Sequence, residues 1–190
     1  MNAQAIRSWL AVFALAALAA CAGTSGVQPA NVTAAYERGI MGYMASRGGL
    51  PTEVWGNPFK APDEQVHAAV RQTMERSHFG PDFPFLAEKP QGFASPYRMV
   101  VVLDSKTTYA YHQICAGVSP PSGPKGDGGN VRVAAALCAG DSMVTGTAGW
   151  ASGVSGPDDP AFVALIAQVT HELFPLRDEH DRDQNEIIIP

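Results

Sequence analysis

The chain has 190 residues, of which 46% are hydrophobic and 16% are charged, and its formal net charge is −5 at pH 7. This length and composition are typical of one folded domain with a hydrophobic core. The acidic balance and the lack of a Lys/Arg cluster argue against nucleic-acid binding. They also argue against attraction to anionic lipid surfaces by charge alone.

The first 21 residues have the organisation of an export signal. Arg7 carries the single side-chain charge near the N-terminus, and a nearly unbroken apolar run follows at 9–20. The run is shorter than the roughly 20 apolar residues that cross a bilayer. Small residues then lead to a cysteine at position 21. We therefore predict that residues 1–20 are a signal peptide.

The end of this segment, Leu18-Ala19-Ala20-Cys21, resembles the lipobox of bacterial lipoproteins. The resemblance implies that Cys21 becomes the new N-terminus and carries acyl chains such as palmitate. Two or more chains hold a protein stably on a membrane. Ala22, where some lipoproteins have aspartate, favours by the same resemblance the outer membrane, facing the periplasm. An ordinary secretory signal and an uncleaved apolar N-terminus are the alternatives.

Three further parts follow Cys21. Residues 21–31 are small and polar without apolar periodicity, which predicts a lipidated N-terminus and flexible tether. Residues 32–175 are predicted to form a single α+β domain. Within it, 32–47 has helical spacing that Gly39 and Gly42 weaken. Residues 176–190 are densely charged with mixed sign, which predicts a solvated tail.

Two segments predict amphipathic helices, each with one apolar stripe against a core. The first begins at Pro62, and Asp63 and Glu64 follow where negative charge suits the helix dipole. The second begins after Asp158-Asp159-Pro160, which combines an N-cap residue with a first-turn proline. The stripes are Val66, Ala69, Val70, Thr73 and Met74 in the first helix and Phe162, Leu165, Ile166, Val169 and Leu173 in the second.

Most segments between the two helices predict strands. Residues 97–104 are apolar on both faces, as in a central strand, and 107–114 are rich in β-branched and aromatic residues. Residues 131–138 and 142–150 predict a hairpin. Small side chains at Ala134 and Ala136 would let a helix lie close. The predicted fold is an α+β layer, an antiparallel sheet of about four to five strands with two amphipathic helices on one face.

Cys115 and Cys138 form an even pair in an exported chain, which favours a disulfide. In the chain-entropy model such a bond adds roughly 3 kcal/mol of stability. If the segments flanking the loop form a simple hairpin, the two cysteines lie at opposite ends, beyond the bonding limit of about 7 Å between Cα atoms. A different strand order, a loop that folds back, or two buried free thiols are the possible outcomes.

No catalytic or metal-binding constellation is evident. His171-Glu172 lacks the second histidine of the helical zinc motif, since Pro175 stands in its place. His112, after Tyr109 and Tyr111, is typical of cross-strand packing. No Gly-x-Ser-x-Gly elbow occurs, and the glycine-rich stretch 123–130 lacks the Gly-Lys-Ser/Thr ending of a phosphate loop.

These observations predict a lipid-anchored cell-envelope lipoprotein that acts as a non-catalytic binding or assembly module, with no cofactor. Its partners would be the membrane, through the acyl chains on Cys21, and an unidentified envelope protein. Trp55 and Trp150 are candidate aromatic anchors for that contact. One alternative is an envelope hydrolase for cell-wall or lipid substrates that uses His112 and His171. Another is a small-molecule binding lipoprotein, favoured if the small-residue face of 131–138 leaves a pocket.

Overall fold

The structure is a computed structural model that describes residues 24–37, 39–103, 111–118 and 129–176. The lipobox, residues 104–110 at the junction of two of the predicted strands, and residues 177–190 lie outside the described residues. None of the helices in the described ranges is long and apolar enough to span a membrane. The elements are β1 (Ser25–Val27), β2 (Asn31–Val32), α1 (Ile40–Ser46), β3 (Leu50–Trp55), α2 (Asp63–Glu75), β4 (Phe85–Leu86), β5 (Tyr97–Leu103), α3 (Tyr111–Cys115), β6 (Gly129–Ala139), β7 (Ser142–Val154) and α4 (Pro160–Leu173).

The prediction of a four-to-five-stranded antiparallel sheet is wrong. The described residues form one mixed sheet of seven strands, in the order β1-β7-β6-β5-β3-β4, with β2 also paired to β7. The strands β1, β2, β5, β6 and β7 pair antiparallel, whereas β3 runs parallel to β4 and β5. The parallel pairing arises because α2 lies between β3 and β5, and a parallel pair needs such a crossover.

Both long helices pack on one face of the sheet, which we call the helix face. Their buried side chains share one core with alternate residues of the central strands. Phe59 and Phe162 meet edge-to-face there, with ring centroids 5.2 Å apart. Asp159 caps α4, since its carboxylate accepts a hydrogen bond from the Ala161 amide at 2.9 Å. The core residues contributed by α2 and α4 are Val66, Val70, Met74, Phe162, Leu165, Ile166, Val169 and Leu173.

The opposite face, which we call the α3 face, carries a smaller buried cluster. The prediction of a strand over 107–114 is wrong for the residues that the structure describes, because Tyr111–Cys115 form the short helix α3 on this face. The small side chains of Ala134 and Ala136 leave room for α3 over β6, and both alanines are buried. Gly146 on β7 is required as well, because a Cβ there would lie 2.6 Å from Tyr111 Cγ.

A disulfide holds α3 to the sheet. The Sγ atoms of Cys115 and Cys138 are 1.97 Å apart and their Cα atoms 5.5 Å apart. The separation expected for a simple hairpin does not arise, because Cys115 lies on a helix that packs over β6 and not on a neighbouring strand. Arg98 supports the same position, since its guanidinium donates to the carbonyl oxygens of Cys115 and Gly140.

The N-terminal part of the chain is folded where the sequence predicts a flexible tether at 21–31. From Thr24 onward it lies against β7, with β1 paired to 149–151 and β2 to Thr145 and Gly146. The Thr24 and Ser152 hydroxyl oxygens are 2.7 Å apart. Backbone hydrogen bonds to a sheet edge need no apolar pattern in the added strand, so a small, polar segment can pair there. We call this end of the sheet, marked by Thr24, Gly129 and Ser152, the anchor end.

Candidate functional site

An open groove lies on the α3 face at the anchor end of the sheet. Its volume is about 690 Å³, within the range typical of ligand sites. The floor comes from small residues of β6 and β7, such as Ala134 and Ala148. The polar and aromatic side chains around it belong to Thr24, Gln28, Tyr111, Asn130, Arg132, Trp150 and Ser152.

Trp150 is the largest exposed side chain of the groove, with 47% of its surface accessible. In the sheet it pairs with Gly26 on β1 and with Arg132 on β6. The indole packs over the glycine, because a Cβ at Gly26 would lie 3.1 Å from Trp150 Nε1. Trp55, by contrast, packs against the buried cluster of the α3 face. Of the two predicted aromatic anchors, Trp150 is therefore the one that lines the groove.

Tyr111 forms the wall of the groove nearest α3. Its hydroxyl donates to Gln28 Oε1 at 3.4 Å, which links α3 to the N-terminal strands. Burial raises the pKa of Tyr111 above its ordinary value of 10.0, so the phenol stays protonated and remains a hydrogen-bond donor at neutral pH. The disulfide at Cys115 fixes the helix on which this residue stands.

Arg132 brings a positive charge to the groove. Its side chain is exposed on β6, beside the exposed Asn130. It makes no ion pair with any residue in the described part of the chain. A guanidinium with free donors binds planar anions such as carboxylate or phosphate in a bidentate manner. The groove therefore offers one cation, amide and hydroxyl groups, and an aromatic surface.

The structure does not bring the predicted histidines together. His112 is exposed on α3, whereas His171 is exposed near the end of α4, so the sheet separates them. His171 contacts Phe79 edge-on, with ring centroids 4.5 Å apart. Within the described ranges, no group of three or more His, Cys, Asp or Glu residues could hold a metal ion. Cys21 lies outside the described residues.

His78 is a partly buried histidine, with buried ring nitrogens, that the sequence pattern does not single out. Its ring stacks on Phe83 at a centroid distance of 4.4 Å and also contacts Phe85 and Phe174. Neither ring nitrogen makes a hydrogen bond within the described part of the protein. Removal of the ring from water lowers the pKa of His78 below its ordinary value of 6.5. The side chain belongs to the core and not to the groove.

Solved structures, but neither family models nor curated proteins, show similarity to this chain. No protein-family model matches the chain, and no curated protein matches it. Two solved structures of a PelC dodecamer from Paraburkholderia phytofirmans, one of them a point variant, are similar to it with a TM-score of 0.44 and 18% sequence identity. Each alignment covers 80% of this chain and 98% of the PelC chain. Similarity at this level does not assign the chain to a family or give it a function.

Proposed function

We propose that this protein is a lipid-anchored lipoprotein of the bacterial cell envelope and that it acts as a non-catalytic binding or assembly module. The lipobox resemblance of residues 18–21 supports the anchor. Ala22 favours the periplasmic face of the outer membrane. The open groove at the anchor end supports a binding role, because it combines an exposed aromatic side chain with free polar groups.

The observation that carries this proposal is the short distance in sequence between the anchor and the fold. Three peptide bonds separate Cys21 from Thr24, and Thr24 already contacts Ser152 on β7. Three residues span at most about 11 Å when fully extended. An acylated Cys21 would therefore hold the anchor end of the sheet, and the groove beside it, next to the lipid headgroups.

The short link from Cys21 to Thr24 restricts the kind of partner that the groove would meet. A groove held within about 11 Å of the anchor is well placed to meet components that lie in or on the same membrane. Trp150 is suited to be the main contact, since exposed tryptophan is enriched among residues that dominate protein interfaces. We infer an envelope protein of that membrane as the partner, with the groove as the contact surface.

A second candidate is a lipoprotein that binds a small molecule. The groove supports it, since the small-residue face of β6 packs α3 over one part and remains open near Ala134. A hydrolase that uses His112 and His171 together has no support from the geometry, because the two side chains lie on opposite faces of the sheet.

The experiment that tests the proposal is affinity purification of the acylated protein from detergent-solubilised membranes after brief crosslinking. We expect one stoichiometric envelope protein with the wild type, and its loss with Trp150→Ala. Val163→Ala, which changes an exposed apolar residue on α4, is the matched control and should retain the partner. Recovery of monomeric protein without a partner would contradict the assembly role.

The anchor has its own test in the same strains. Cys21→Ala should abolish acylation and leave an unprocessed precursor. Mass spectrometry of the N-terminal peptide distinguishes the acylated from the unmodified chain. A mature, membrane-bound product from the Cys21→Ala variant would contradict the lipoprotein assignment.

A further inference from the structure

The groove contains a cation placed where a membrane lipid would present a phosphate. Arg132 is exposed at the anchor end, and Thr24, which lines the same groove, lies three residues after Cys21. A bilayer is roughly 40–45 Å thick with headgroups and about 30 Å without them, which leaves about 5–8 Å of headgroup layer on each side. The reach of about 11 Å from Cys21 to Thr24 is comparable with that layer.

The groups around Arg132 match a phosphate diester. Guanidinium binds two phosphate oxygens at once, and the Asn130 amide, which lines the same groove, can donate further hydrogen bonds. No described acidic side chain forms an ion pair with Arg132 and so competes for it. The lining thus has donors and a positive charge on the side of the protein that an acylated Cys21 would hold towards the membrane.

The charge of the whole chain limits the mode of binding. With a net charge of −5, the protein is not drawn to an anionic surface as a polybasic segment would be. A single arginine in a groove instead favours the recognition of one phosphate group at a time. Zwitterionic phospholipids carry such a phosphate as well as anionic ones do.

We propose that this groove binds the phosphate group of a phospholipid from the leaflet that holds the acyl chains of Cys21, with Arg132 as the principal ligand. The inference rests on the proposed lipid anchor, because the anchor brings the groove to the headgroups. It adds a lipid to the ligands of the groove and predicts that the orientation of the domain on the membrane depends on phosphate-bearing lipids.

The test measures how well Arg132 is protected from an arginine-specific dicarbonyl reagent in the intact wild-type protein. The acylated protein is reconstituted into nanodiscs of phosphatidylethanolamine and phosphatidylcholine, or into discs of a phosphate-free diglycosyl diacylglycerol. Modification is followed by peptide mass spectrometry in phosphate-free buffer. We expect Arg132 to react roughly tenfold more slowly in the phospholipid discs, the factor typical of one charge-assisted pair. Arg76, exposed just after α2, is the control and should react equally in both.

Each other outcome overturns the proposal. Equal protection in both discs would show that the membrane covers the groove without phosphate recognition, and no protection in either would show that the groove lies away from lipid. If millimolar inorganic phosphate protects Arg132 in the glycolipid discs while the phospholipid discs without free phosphate do not, the site takes free phosphate and not a headgroup. Failure of the anchor itself appears separately, as an unmodified N-terminal peptide in the same digest, and the inference falls with it.

Discussion

The two faces of the sheet are stabilised in different ways. On the helix face, α2 and α4 bury a continuous core of large side chains such as Phe59 and Phe162. On the α3 face, the buried cluster consists mainly of Val, Ala and Cys residues, and a five-residue helix is held there by a disulfide. Isolated helices of that length are not stable in water. The disulfide therefore stabilises α3, whereas buried apolar area stabilises the longer helices α2 and α4.

The difference between the two faces determines where a binding surface can form. On the helix face, the two long helices cover the sheet with large side chains. A face covered by a short, disulfide-held helix leaves part of the sheet open, and Trp150 and Arg132 stand there. Substitutions on each face in turn test this difference in how the two faces are stabilised.

The largest expected effect comes from the core of the helix face. Phe162→Ala should lower the free energy of unfolding by about 3–5 kcal/mol, because it removes a buried ring that packs against Phe59 and leaves a cavity. Urea unfolding of the mature protein, followed by circular dichroism, measures this change. Val163→Ala, one residue further on the exposed side of α4, should change stability by no more than about 0.5 kcal/mol. Similar losses from both substitutions would contradict the assigned core.

The second effect concerns the α3 face. The double substitution Cys115→Ala and Cys138→Ala should cost about 3 kcal/mol, since the bond closes a loop between residues 23 apart in sequence. The same urea titration checks it, and reduction of the wild type by dithiothreitol should give a matching value. A loss below about 1 kcal/mol would mean that packing alone holds α3 in place.

A smaller effect is expected at the start of α4. Asp159→Ala should cost about 1 kcal/mol, because its carboxylate caps the helix through Ala161 and also accepts a hydrogen bond from Ser155. The neighbouring Asp158→Ala is the matched control and should be nearly neutral. The hydrogen bonds from Ser155 and Ala161 lower the pKa of Asp159 below 3.8. Its contribution is therefore present above that pH and is lost as the pH falls through the lowered pKa. An equal cost from both substitutions would show that charge near the helix, and not the cap, is responsible.

The smallest expected effect is a pH dependence of the free energy of unfolding, which arises from His78 on the helix face. Because burial lowers the pKa of His78 in the folded state, the unfolded chain takes up a proton first as the pH falls. Stability from this residue is therefore complete above its unfolded pKa of about 6.5 and decreases as the pH falls from there towards the folded pKa.

Denaturant unfolding at pH 7.5 and pH 5 measures this decrease. We expect His78→Phe to reduce it, because phenylalanine does not titrate. His112→Gln, on the exposed surface of α3, should leave it unchanged. An unaltered decrease in the His78 variant would assign the pH dependence to other groups.

The sequence predicts those elements whose signal is local. The apolar stripes and first-turn residues place α2 and α4, and the apolar character of both faces places β5 at the centre of the sheet. The sequence does not predict strand pairing between segments that are far apart in the chain. The parallel register of β3 depends on the crossover through α2, and β1 pairs through its backbone without an apolar pattern.

The short helix α3 and the groove illustrate the same limit. Tyr111 and its neighbours have strand propensity, yet packing over Gly146 and the bond at Cys115 favour a helix. Local propensity is easily overridden by such tertiary contacts. Trp150 is recognisable in the sequence as a candidate anchor, but Gln28, just after β1, and Arg132, on β6, reach its groove from positions far apart in the chain. Only the strand order brings them together.

We propose that the anchor holds one end of the sheet against the membrane. We would test it with two spin labels on the acylated protein in phospholipid vesicles. One label replaces Ser152 at the anchor end, and the other replaces Asp141, in the turn that precedes β7. These sites are about 35 Å apart along the strand, from the rise of about 3.3 Å per residue. We expect headgroup-level accessibility to a lipid-soluble relaxant at Ser152 and full exposure to a water-soluble relaxant at Asp141. Equal exposure of both labels to water would contradict the proposal that the anchor end lies against the membrane.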